Sequence, residues 1–239
     1  MPAKRVHTLA AFVPTPVADA IYAHVATTSA VDVFPDACAE RRPAAVLFAD
    51  ISGFTNLTDM LARRGPDGSG ELTGLLNLYF THMIALLKRF GGQVIRFSGD
   101  ALIALFPTNP DLPAPVAIRR ATLQAAYAAD AMQTATANFQ HLPTSVGETA
   151  LALKIGIGAG EIFAAHVGGV ADHWEYLIAG DPVTQMTDAE EHATPGMVML
   201  SAQAAALVGR PDIQPGTYLD WNRRDLAEQD LPAPNDLLI

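Results

Sequence analysis

The chain has 239 residues, enough for one sizeable core with extensions but cramped for two full domains. Half of the residues are hydrophobic and 17% are charged, which excludes a disordered or coiled-coil chain. A formal net charge of -10 with no basic stripe argues against nucleic-acid binding, and a lone cysteine, Cys38, excludes an intrachain disulfide and suits a reducing compartment.

No apolar run reaches the length of about 18 residues that a membrane-spanning helix needs. Lys4 and Arg5 before LAAFV imitate a signal peptide, but Pro14 and Pro16 interrupt the apolar stretch early, so a cytoplasmic chain is expected. The segment LAAFVPTPVADAIYAHVA and the mixed residues up to ERRP read as an extension packed on the domain. AAVLF, 44–48, is apolar throughout and bounded by Pro43 and Asp50, as a strand buried on both faces would be.

Thr55 is a candidate N-cap for a short helix near 56–63, which RRGPDGSG is expected to break. A longer helix follows in ELTGLLNLYFTHMIALLKRF. Its apolar positions Leu72, Leu75, Leu76, Tyr79, Phe80, Met83, Ile84 and Leu87 recur at helical spacing, and Gly91-Gly92 stops it. QVIRF and ALIALF, joined by SGD, predict a hairpin. An Ala-rich helix is expected from about Pro115 to Phe139, then strands in LALKIGIGAG, EIFAAHV and HWEYLIAG. A helix in PVTQMTDAEEHA, a strand in GMVML and a helix in SAQAAALV complete the series. The order of elements is that of an α+β, ferredoxin-like βαββαβ core with additional strands and helices.

In a right-handed βαβ crossover the first two strands run parallel and end on the same edge of the sheet. Asp50 ends the first strand and Asp100 lies in the turn after the second, so insertion of the third strand between them brings the two carboxylates together. Close carboxylates repel unless a cation intervenes, and magnesium favours a few carboxylate oxygens completed by water and phosphate. Ser52-Gly53-Phe54-Thr55 leaves the strand and enters a helix, so its amides and the helix dipole can face an anion. By spacing alone this competes with ordinary turn chemistry, in which both a strand-ending Asp and a Gly-Asp turn are common. GIGAG, 156–160, lacks the ending of a phosphate loop and reads instead as a strand where backbones pack closely. The seven histidines show no metal spacing.

VLFADISGFTNLT followed by FGGQVIRFSGDALIALF resembles the class III nucleotide cyclases, above all the first catalytic half of the soluble, bicarbonate-responsive adenylyl cyclases and their bacterial relatives. The resemblance covers roughly 44–208. It implies an N-terminal extension at 1–42, a nucleotide cyclase homology domain at 43–210 and a C-terminal extension or linker at 211–239. It also implies that Asp50, Asp100 and the carbonyl of Ile51 hold two divalent ions, Mg2+ or Mn2+, and that the amides of Ser52, Gly53, Phe54 and Thr55 hold a triphosphate. ATP or another purine nucleoside triphosphate would lose pyrophosphate as its own 3'-oxygen attacks the α-phosphate.

Sites in this family form between two such domains, which implies a second cyclase domain as homodimer or intramolecular heterodimer. Alignment of LIAGDPVTQMTDA places Thr184 where the complementary half carries Asn, and Asp188 where it carries an Arg that stabilises transition-state charge. Leu177 falls where adenine-reading halves have a carboxylate, and Glu161 replaces an arginine that some cyclases place near the phosphates. Arg96 stands where those halves have a lysine. In the soluble cyclases that lysine belongs to a bicarbonate site whose arginine aligns near Thr187, so Arg96 marks an anion or base-side pocket. The chain thus resembles the metal-bearing half of an adenylate cyclase. The alternatives are a silent regulatory nucleotide- or anion-binding module, or another palm-like enzyme such as a dinucleotide cyclase, for which the GG[DE]EF-type turn is absent.

Overall fold

The computed structural model describes Val17, residues 38–170 and residues 173–221. Most of the expected N-terminal extension and the end of the C-terminal one lie outside these residues. The first half of the fold comprises β1 (Cys38–Ser52), α1 (Phe54–Ala62), α2 (Pro66–Arg89), β2 (Gln93–Ser98), β3 (Ala101–Pro107) and α3 (Ala114–Thr136). A short hairpin of β4 (Leu142–Thr144) and β5 (Gly147–Thr149) follows, then β6 (Ala152–Val170), β7 (His173–Ala179), α4 (Asp181–His192), β8 (Val198–Ser201), α5 (Ala202–Leu207) and β9 (Tyr218–Asp220).

The main sheet has the order β2-β3-β1-β6-β8-β9, with β7 paired to the outer half of β6. β1 lies between β3 and β6, antiparallel to both, so β2, β3, β1 and β6 are the four strands of a ferredoxin-like βαββαβ unit. Ala44 to Leu47 of β1 are fully buried, as their uninterrupted apolar run requires. Alternate residues serve two cores. Ala45, Leu47, Ala49 and Ile51 face the helical layer with Tyr79, Met83 and Leu87 of α2, whereas Ala44 and Val46 face a smaller cluster with Met186 of α4 and with Val17.

The helical period of α2 survives in the structure, with Tyr79, Met83 and Leu87 one turn apart on its buried face. Its C-terminus closes through Gly91, at φ 83°, with Gly91 N–H donating to Lys88 O and Gly92 N–H to Leu87 O.

Several expectations change. RRGPDGSG does not separate the helices over its full length: Pro66 opens α2, where its missing N–H costs nothing, and Asp67 occupies the first turn. Gly68 lets α1 and α2 cross, because a Cβ there would lie 2.0 Å from Leu61 O. LALKIGIGAG and EIFAAHV are one long strand, β6, which passes through Gly160 at φ 148° without ending. The sheet includes residues 38–42 of β1 and, as β9, Tyr218–Asp220. β9 and the β4–β5 hairpin are too short to leave a periodic signal.

The glycines of GIGAG do what their spacing suggests. A Cβ on Gly156 would fall 2.0 Å from Met186 O, and one on Gly158 would fall 2.1 Å from Pro182 O, so α4 rests directly on the backbone of β6. Gly156→Ala should therefore destabilise the fold by about 1–3 kcal/mol through overpacking, as measured by urea unfolding. Gly74→Ala, inside α2 with nothing within 4 Å of the new Cβ, should stabilise it by up to about 1 kcal/mol.

Candidate active site

Asp50 continues the β1 face formed by Ala44, Val46 and Phe48. The β1–β3 register places Ala49 opposite Leu102, which carries the Gly99-Asp100 turn at the head of β3 to Asp50. The two acids that are distant in sequence thus share one rim of the sheet. Burial, then the charges of Asp100 and Glu190, push the Asp50 carboxyl above its usual range, and Lys154 and the Ile51 amide offset this in part.

Lys154 and Glu190 were missed by the sequence reading. Lys154 is the β6 residue directly opposite Asp50; its Nζ stands 3.9 Å from Asp50 Oδ2 and contacts Glu190 Oε1 on α4. Glu190 is 6% exposed and reaches this place because Gly156 has no side chain to keep α4 away. A signal did exist in the sequence. A single lysine among Leu153, Ile155 and Ile157, with glycine at alternate positions, is a charge entering an apolar layer, and such a charge needs a partner.

The turn after β1 has the expected course but a different cap. Gly53, at φ 92°, is itself the N-cap and α1 begins at Phe54, so Thr55 lies inside the first helical turn. The positive φ of Gly53 turns the chain two residues earlier than a side-chain cap at Thr55 would. A Cβ on Gly53 would meet Ala150 O at 2.8 Å, so the turn is pressed against the segment leading into β6. Ser52 is half-buried, Thr55 is exposed, and the first free amides of α1 open beside the Asp50 rim.

The remaining candidates lie elsewhere. Glu161 is opposite Pro43, roughly 20 Å along β6 from Lys154 by strand rise, and pairs at 3.1 Å with exposed Arg41. It is therefore not the residue that sets the charge beside Asp50; Lys154 is. Exposed Arg96 is paired at 3.4 Å with Glu175, which stands two places from exposed Leu177 on β7. Thr187 donates its hydroxyl to Val183 O. Thr184, exposed, and Asp188, half-buried, both lie on α4.

The donor set suits a hard divalent cation: two carboxylates on one rim with a repulsion that such an ion would relieve. Among the described residues no cluster of three or more His, Cys, Asp or Glu side chains is placed to hold an ion by itself, so the remaining ligands would be backbone, water and substrate oxygens.

Comparison with known proteins gives this arrangement its context. The profile described as the adenylate and guanylate cyclase catalytic domain matches residues 38–218. The chain belongs to this family. The cyclase domain is 31% identical over 167 residues to the uncharacterized protein Rv1318c of Mycobacterium tuberculosis, covering 69% of this chain and 27% of that protein. It is likewise 31% identical over 153 residues to Rv1319c of the same organism, covering 63% of this chain and 24% of that protein. The chain therefore spans about a quarter of the length of these relatives.

Among solved structures, the guanylyl cyclase Cya2 is 27% identical, with a TM-score of 0.58 over 71% of this chain and 80% of that one. The adenylyl cyclase CyaB of P. aeruginosa, 24% identical with a TM-score of 0.59, covers 72% of this chain and 82% of its own and shares the fold. Among the described residues of the cyclase domain, no helix is long and apolar enough to cross a membrane.

The crowded carboxylates make a thermodynamic prediction. Because the folded Asp50 carboxyl takes up its proton at higher pH than the unfolded one, the metal-free domain should gain stability from this group as pH falls towards the ordinary carboxylate range. Asp50→Asn should remove that rise and increase the melting temperature at pH 7 by about 2 °C, as read by calorimetry in the presence of a chelator.

Proposed function

We propose that this cyclase domain binds a purine nucleoside triphosphate with two divalent ions, Mg2+ or Mn2+, and forms cyclic AMP and pyrophosphate from ATP as the metal-bearing half of a pair. The observation that carries this reading is the meeting of Asp50 and Asp100 at one rim, beside the open N-terminus of α1. Asp50, Asp100 and the Ile51 carbonyl would hold the ions, which would supply charge neutralisation of the triphosphate and activation of the 3'-hydroxyl. The amides of Ser52 to Thr55 bind phosphate oxygens, and the ammonium of Lys154 adds a positive charge to the same rim. The 3'-hydroxyl gives up its proton to solvent, its oxygen forms a bond to the α-phosphorus, and the bond from that phosphorus to the bridging oxygen breaks so that pyrophosphate leaves.

The chain does not supply the groups that would complete this reaction. Thr184 lacks the amide, and Asp188 carries the wrong sign, for stabilising charge on the phosphate. Both are expected from the complementary half. Phe163 and Val167 of β6 and Leu177 of β7 support such a pairing, since they form a cross-strand apolar cluster with exposures of 44, 40 and 39%.

A second reading, a silent module that binds nucleotide or anion and passes occupancy to a neighbour, rests on the same Thr184 and Asp188. Cyclic AMP formation with Mn2+, by the chain alone and mixed with a domain bearing the Asn and Arg, separates the two. The half-site reading expects mixing to raise turnover about a hundredfold or more, and Asp50→Asn or Asp100→Asn to return it to background. Equal activity with and without the partner would reject the half-site. Binding of an ATP analogue with no turnover in any pairing would establish the silent module.

A further inference from the structure

Lys154 lies directly across the β1–β6 ladder from Asp50. A lysine stem in that position is long enough to close on the carboxylate and neutralise it as an ion pair. Here that pairing is loose: Nζ stands 3.9 Å from Asp50 Oδ2, at the outer limit of an ion pair, and contacts Glu190 Oε1 more closely. Glu190 is 6% exposed, too buried to stand without a cationic partner, and the bare Gly156 backbone fixes its approach, with Glu190 N only 2.4 Å from where a Cβ would be. The acids acting on Asp50 are Asp100 and Glu190, and Lys154 is the cation acting on it. Three carboxylates thus face one ammonium, which leaves the rim with an excess of negative charge.

We infer that Glu190 is a positioning residue that draws the Lys154 ammonium away from Asp50 and so keeps that carboxylate open to a divalent cation. The inference rests on the reading of Asp50 as a metal ligand and adds a role to a residue that holds no metal itself. With Glu190 in place, an incoming ion meets Asp50 without first breaking a tight Lys–Asp pair. Without it, the one ion-pair partner left to the Lys154 ammonium among the described residues is Asp50, and an incoming ion must then displace that ammonium.

Calorimetric titration with Mn2+ alone, on the wild type, Glu190→Gln, Lys154→Gln and the double variant, tests this. Glu190→Gln should weaken Mn2+ binding about tenfold, the scale on which partners of metal ligands act. Made on the Lys154→Gln background, the same change should alter affinity by less than about twofold, because no ammonium remains to close on Asp50. An unchanged affinity in Glu190→Gln, or an equal loss on both backgrounds, would overturn the inference, the second outcome showing that Glu190 acts through its own charge alone. If Lys154→Gln does not fold, a metal-free crystal structure of Glu190→Gln decides. Lys154 Nζ within about 3 Å of Asp50 Oδ2 supports the inference, and Lys154 unmoved or turned to solvent overturns it. Wild-type protein that binds no Mn2+ would reject the metal reading together with this one. Mn2+ binding that is lost in Asp50→Asn yet indifferent to Glu190→Gln would reject this one alone.

Discussion

Asp50 is the last acid on a strand that has no freedom to move. β1 is hydrogen-bonded on both sides, to β3 and to β6, and Ala44 to Leu47 are sealed between two apolar clusters. A one-residue slip in either ladder would turn Asp50 into the helical core and Ile51 out of it, so the hydrophobic pattern itself holds the carboxylate in register. The same two ladders dictate its neighbours. The β3 register delivers Asp100, and the β6 register delivers Lys154.

The cost of this arrangement is electrostatic. Asp50, Asp100 and Glu190 crowd together at the end of the sheet, and burial, then the repulsion of Asp100 and Glu190, lifts the Asp50 carboxyl above its usual range. A hydrophobic replacement at any of the three would relieve it, which is why a structural role alone explains the cluster poorly. A rim that repels itself when empty is instead suited to taking up cations with an anionic substrate, and the Ser52–Thr55 turn beside it adds amides of the right polarity. The far end of β6 has another character. There the Arg41–Glu161 pair is exposed, and a cleft of about 400 Å³ lined by Gly160, Asp181 and Gln203 opens beside it without a buried charged group.

Much of this was legible in the residues. Long apolar runs, the helical period of α2, the tight turn between QVIRF and ALIALF and the glycine spacing of GIGAG each report a local preference that the tertiary structure reinforced. Two boundaries misled because local chemistry has more than one use: Pro66 breaks a helix in its interior but starts one at its first position, and Gly160 at φ 148° sits within a strand without ending it.

By itself the sequence determined most of the core elements, an acid near the end of β1, another in the β2–β3 turn and the bare turn between strand and helix, because these follow from patterns within a few residues of one another. Only the tertiary structure decided which further charges join the two acids. Lys154 and Glu190 lie on different elements and come together because α4 can press against the exposed backbone of Gly156, a contact that depends on packing between segments far apart in the chain. The displacement of Glu161 from the rim has the same origin: position along a strand becomes distance from a site only when the ladders that set the register are in place.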